Sequence, residues 1–195
     1  MGAWLILAIV AVVVVWTMRC YNRLVDLRNR IANAFAQIDV QLKRRHDLIP
    51  NLVETARRYL QHEQSTLQAV TEARGKALQA AADARSQPAN AATIATLAGA
   101  EQTLMGHVGR LLAIAESYPE LKADQTLRNL SEQLTTTENQ IGFARQAYND
   151  AVLDLNNEVQ AFPQLLVARL TGFALAAPLK STTADDERTT PKVVL

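Results

Sequence analysis

The sequence predicts an all-α protein in which an N-terminal transmembrane helix continues into an antiparallel four-helix bundle. Three observations lead there. The first eighteen residues carry no charged side chain, and arginines begin immediately after them. Beyond the arginines, apolar residues recur at three- and four-residue steps, the period of one helix face. No segment alternates apolar and polar residues for long enough to argue a strand.

Residues 1–18 form the predicted anchor. The run 2–18 (GAWLILAIVAVVVVWTM) would span about 25 Å as a helix, the short end of what a bilayer core requires. Trp4 and Trp16 lie near its two ends, where amphipathic rings favour the membrane–water interface, and Arg19 and Arg23 follow at the polar boundary. Nothing basic precedes the run and no small-x-small site follows it, so it reads as an uncleaved anchor rather than a secretory signal. Arg19 directly before Cys20 fits a lipoprotein signal poorly. Arg19, Arg23, Arg28 and Arg30 all lie on the C-terminal side, so the positive-inside rule puts the amino terminus outside and the bundle in the cytoplasm. A single cysteine excludes an intrachain disulfide and agrees with a reducing compartment.

The bundle is predicted over residues 19–163. Leu24, Leu27, Ile31, Ala34, Phe35, Ile38 and Leu42 make the stripe of a first helix, continuous with the anchor. Lys43-Arg44-Arg45-His46 is expected to end it as a solvated basic turn, since cations complement the carbonyl end of a helix. Asp47 then caps a second helix with Pro50 in its first turn, where a missing amide is tolerated. Its stripe is Leu52, Ala56, Leu60, Glu63, Leu67, Val70 and Ala77, running on towards Arg85. Ser86 to Asn90 reads as a turn. A third helix turns Ile94, Leu97, Leu104, Val108, Leu111 and Leu112 inward until Ser117-Tyr118-Pro119 breaks it. The fourth carries the clearest stripe, from Leu127 through Leu134, Ile141 and Tyr148 to Leu155, extended by Val159 and Phe162, and Pro163 ends it. Residues 164–177 form an amphipathic segment too short to span a membrane, which either packs under the bundle or lies on the bilayer surface. Residues 178–195 read as a disordered polar tail, ending in Val-Val-Leu.

Twenty basic and nineteen acidic side chains leave a net charge of +1, so no overall field recruits nucleic acid. No phosphate loop, dinucleotide fingerprint or Gly-x-Ser-x-Gly appears, and no histidine has a glutamate three residues before it, as the di-iron bundle motif needs. His62 and Glu63 are adjacent and point about 100° apart on a helix, so they do not chelate together. Glu63 instead falls on the apolar stripe, where a buried contact with Arg145 or another cation across the bundle would satisfy it. The sequence therefore assigns no catalytic residue, no cofactor and no metal ligand.

Two nine-residue stretches share a pattern: Tyr21-Asn22-x-x-Val25-x-x-x-Asn29 and Tyr148-Asn149-x-x-Val152-x-x-x-Asn156. A buried amide is costly unless paired, so their repeated use suggests a polar layer of register-setting hydrogen bonds between the first and last helices, or an interaction site. Gly99 and Gly106, seven residues apart on the third helix, each cost roughly 0.5–1 kcal/mol against alanine, which suggests a seam where backbones approach closely, within the bundle or between copies.

These stretches resemble the bacterial LemA family. So do Gln37-Ile38-Asp39-Val40-Gln41-Leu42-Lys43-Arg44-Arg45, Asp47-Leu48-Ile49-Pro50-Asn51-Leu52-Val53-Glu54-Thr55, Tyr118-Pro119-x-Leu121-Lys122, Thr137-Glu138-Asn139-x-Ile141 and Phe162-Pro163. The resemblance covers approximately residues 19–173. It implies a membrane anchor and a helical bundle, and no settled biochemical activity. The function expected is a non-enzymatic membrane-anchored scaffold or adaptor. Its partners would be the lipid bilayer and a membrane-associated protein or further copies of itself. The alternative is a lipid-binding or membrane-shaping module using the juxtamembrane arginines and residues 164–177.

Overall fold

The computed structural model describes residues 1–179. It holds six helices: α1 (Gly2–Arg57), α2 (Gln64–Ser86), α3 (Ala91–Ala115), α4 (Pro119–Ala123), α5 (Gln125–Gln160) and α6 (Gln164–Thr171). The described residues contain no strand. The expected polar tail lies outside the described residues from position 180 on, while Leu179 is buried.

α1 is a single helix of 56 residues. Its N-terminal part is apolar and long enough to cross a membrane, and its side chains up to Val15 are exposed, touching little of the bundle. Thr17, the hydroxyl of this stretch, donates to the Val13 carbonyl at 2.8 Å and so carries no free polar group. The stripe read from Leu24 to Leu42 is buried throughout except for half-buried Ala34.

The helix does not stop at Lys43–His46, and this corrects the expected boundary. Pro50 sits inside α1 and has no N–H to give to the His46 carbonyl, the acceptor one turn back. The Arg74 Nε of α2 donates to that carbonyl at 2.7 Å and satisfies the group the proline leaves open. With the orphan acceptor filled by a tertiary contact, the helix runs on to Arg57. Lys43 and Arg44 are exposed as expected of a basic turn, but Arg45 and His46 point into the core.

The chain reverses instead at residues 58–63, inside the predicted second helix. No Gly or Pro marks this break. Leu60 is fully buried, and the Tyr59 hydroxyl donates to Asp124, the residue that caps α5, at 3.1 Å. The predicted stripe still faces inward on both sides of the break, apart from half-buried Glu63 at the start of α2. The other boundaries follow local chemistry. Asn90 caps α3 by accepting from Ala92 N at 2.8 Å, Asp124 caps α5 by accepting from Thr126 N at 2.7 Å, and Pro119 opens α4.

α1, α2, α3 and α5 are the four long helices of an up-down-up-down bundle. Its core has two parts. The distal part joins Ile49, Leu52 and Leu60 to Val70, Leu104, Leu111 and Leu130, drawing on all four helices. The α2–α3 turn falls well short of the anchor, as the bond between Arg85 and Asp39 of α1 (2.8 Å) shows. Below it, α1 and α5 continue as a pair, and α6 with the extended residues 173–179 closes their open side. Val167, Ala168, Ala176 and Leu179 are the side chains that this segment adds to the core.

Candidate functional site

Two polar layers cross the bundle. The one nearer the anchor is built on α5. Asn149 and Asn156 are seven residues apart, about 10 Å along a helix. Ala176 and Leu179, three residues apart, span about that length in a polyproline-like chain, whose three-residue turn puts both peptide groups on one side. The amides therefore meet the backbone in register. Asn156 Nδ2 donates to Ala176 O and Ala176 N donates to Asn156 Oδ1, both at 2.9 Å. Asn149 Nδ2 donates to Leu179 O at 3.2 Å, and Leu179 N returns a bond to Asn149 Oδ1 at 2.8 Å. Tyr148 is fully buried, edge-on to Phe35 at 6.1 Å, with its hydroxyl 2.8 Å from Pro88 O and 3.0 Å from Ala177 O. Burial pushes that hydroxyl up to about 12.

The first copy of the motif does something else. Tyr21, Asn22 and Asn29 are exposed on α1, and Tyr21 rests edge-on against Phe173 at 6.1 Å. The expected amide bonds between α1 and α5 are therefore replaced by bonds from α5 to the C-terminal segment. The reason is that α1 turns Leu24 and Leu27, not its asparagines, towards α5.

The second layer lies farther out and is charged. Arg45 of α1 reaches Glu101 of α3 at 2.5 Å and also pairs with Glu138 of α5. His46 is 1% exposed. Its Nε2 donates to the other Glu101 oxygen at 2.8 Å, because a carboxylate there can only accept. Arg145 stands 3.8 Å from Glu138, so the expected partner Glu63 is replaced by a residue two turns away on Arg145's own helix. Burial alone would raise the Glu101 carboxyl, but the His46 bond and the Arg45 charge outweigh it and hold the group below its ordinary range. A cleft of about 290 Å³ opens beside the layer, with Ile38, Leu97, Ile141 and Leu179 on its apolar walls and Arg145 at its charged end. Arg45 Nε is buried there without an acceptor among the described residues.

The remaining sequence-predicted positions are spread over the surface. Gly99 and Gly106 face open space, with nothing within 4 Å of an added Cβ, so no close backbone approach inside the bundle explains them. His62 is exposed at the apex. Trp4 is exposed and Trp16 half-buried on the anchor, while Arg19 and Arg23 are exposed beyond it. Among the described residues no three of His, Cys, Asp and Glu converge as a metal site would require. The charged layer is hidden in the sequence because Arg45 and His46 read locally as a basic helix end. Glu101 was the available signal: it stands between Leu97 and Leu104 on an apolar stripe, where a carboxylate needs a cation across the bundle.

Comparison with known proteins agrees with this architecture. The chain is 26% identical to magnetosome proteins MamQ 1 and MamQ 2 of Paramagnetospirillum magneticum, over 93% of its own length and 72% of theirs. It is also 26% identical to magnetosome protein MamQ of Magnetospirillum gryphiswaldense, over 86% of its length and 67% of that protein's. The model of the LemA family matches residues 34–194, which takes in both polar layers and the bundle around them, and the chain belongs to the LemA family.

Proposed function

We infer that this protein is a non-enzymatic, membrane-anchored scaffold that holds a helical bundle at the bilayer for a membrane-associated protein complex or for further copies of itself. The carrying observation is the unbroken course of α1, from the apolar run to Arg57 at the far end of the bundle. No flexible linker separates anchor from domain, so the bundle has a defined height and azimuth relative to the membrane, and partners meet it at raised effective concentration. Relatives that bear the name magnetosome protein fit a membrane setting. The four juxtamembrane arginines support a cytoplasmic bundle with the amino terminus outside. The exposed Asn22 and Asn29, and the open faces at Gly99 and Gly106, are the surfaces proposed for contacts with partners or other copies.

The test is crosslinking and affinity purification of the full chain from native membranes, beside a control carrying only the anchor. A complex of fixed composition with the full chain and none with the anchor alone is the expected result. Recovery of lipid only, at every crosslinker length, overturns the scaffold. A second reading, in which the protein acts on lipid, is favoured by one observation: large apolar side chains stand exposed on α6, beside the anchor.

A further inference from the structure

α6 has two faces. Val167 and Ala168 are buried against α1 and α5. On the outer side Leu166 and Leu170, one turn apart, are 52% and 87% exposed, and Phe162 just before the helix is 81% exposed. Side chains of this size on one edge of an eight-residue helix form a compact apolar strip. Its position says what covers it. Thr171, at the end of α6, shares a surface depression with Val13, Val14, Thr17, Met18, Tyr21 and Asn22 of α1. The C-terminal end of α6 therefore lies beside the junction of the apolar run with the first arginines, the level at which a bilayer surface is expected. Thr171, next to Leu170, brings the helix that carries the strip against the apolar surface of the anchor. Arg169 on α6 and Arg19 on α1 are exposed at this end, the placement that anionic headgroups complement.

We propose that α6 is a second membrane contact, inserting Phe162, Leu166 and Leu170 into the headgroup–acyl boundary beside the anchor. The occupant is lipid, and Arg19 and Arg169 select for anionic headgroups. The proposal rests on the anchored reading above, and its test separates the two. Val10→Cys, Leu166→Cys, Leu170→Cys and Phe143→Cys are made singly in a Cys20→Ser background of the full chain. Each is spin-labelled in vesicles of phosphatidylcholine with one quarter phosphatidylglycerol. Collisions with oxygen, which partitions into lipid, are compared with those of a water-soluble nickel chelate.

Labels at 166 and 170 are expected to match Val10, with nickel collisions severalfold below those at Phe143, which is exposed on α5. Nickel access at 166 and 170 equal to that at 143, with Val10 still in lipid, overturns the α6 contact and leaves the anchor standing. Nickel access at Val10 overturns both. Dipolar broadening between labels at 170, lost on dilution with unlabelled protein, assigns the strip to a second copy and overturns the lipid proposal. Equal depth in vesicles lacking phosphatidylglycerol overturns the headgroup selection.

Discussion

The two polar layers solve the same problem by opposite means. Near the anchor, neutral amides of α5 hold an extended backbone, and each bond returned satisfies a main-chain group that would otherwise be buried bare. Farther out, ionised groups from α1, α3 and α5 neutralise one another, and each depends on its partner's charge. The amide layer can lose a member and strand only dipoles. The charged layer cannot lose Arg45 or Glu101 without disturbing a buried ion's compensation. The difference separates what positions a segment from what locks helices together.

The largest effect should come from breaking the charged layer. Arg45→Met leaves the buried Glu101 without its arginine, while Arg145 still faces Glu138, and is expected to cost about 3–5 kcal/mol. Thermal unfolding of the full chain in micelles, followed by circular dichroism, measures it. The double variant Arg45→Met, Glu101→Leu should recover a substantial part of the loss; additive losses would show that the two residues are not coupled.

Next comes the amide layer. Asn149→Leu and Asn156→Leu each strand a buried backbone pair and should cost about 1–3 kcal/mol. Amide exchange at Ala176 and Leu179 should accelerate while Leu104 and Leu130 in the distal core stay protected. Uniform loss of protection would mean that the layer holds the whole bundle rather than the C-terminal segment.

Acid sharpens the contrast further. The folded Glu101 carboxyl lies below its ordinary value of 4.5, so its contribution is fully present above that pH and is lost as pH falls through the folded value. The melting temperature should therefore drop more steeply below pH 4.5 in the wild type than in Glu101→Gln. The Tyr148 hydroxyl, raised from 10 to about 12, works the other way: its contribution is complete below pH 10 and disappears as pH rises through 12. Tyr148→Phe should flatten the alkaline limb and leave the acid limb alone.

The smallest effect belongs to the first motif copy. Asn22→Ala and Asn29→Ala, on the exposed face of α1, should change stability by no more than about 0.5 kcal/mol, read in the same unfolding experiment. A larger loss would assign them a role in holding the bundle.

The all-α class and the burial of the stripes were legible because amphipathic period depends on nothing outside the helix. The stripe through Leu52, Leu60 and Leu67 stayed buried even where the predicted helix was broken at residues 58–63. Boundaries were less legible where a distant group decided them. Pro50 reads as a helix start until Arg74 is seen on the His46 carbonyl, a contact 28 residues away. The same error hid Arg45 and His46, whose basic character reads locally as solvent and a helix end. Asn149 and Asn156 stood out because asparagine is a poor helix former, yet their partners are main-chain atoms, which have no residue identity to betray them.

The anchor's helix is also a lever. From Tyr21 to Arg57 it rises roughly 55 Å, so a tilt of about 10° in the span swings the apex sideways by about 9 Å. The apolar run is short for an average bilayer, so mismatch there is relieved by local thinning, and tilt is taken up only where the membrane is thinner than the run is long. Because Arg74 bridges the gap left by Pro50, the lever has no hinge at its weakest point. In the anchored state proposed above, tilt in a membrane thinner than the run would be converted into displacement at Tyr59 and His62, far outside the lipid.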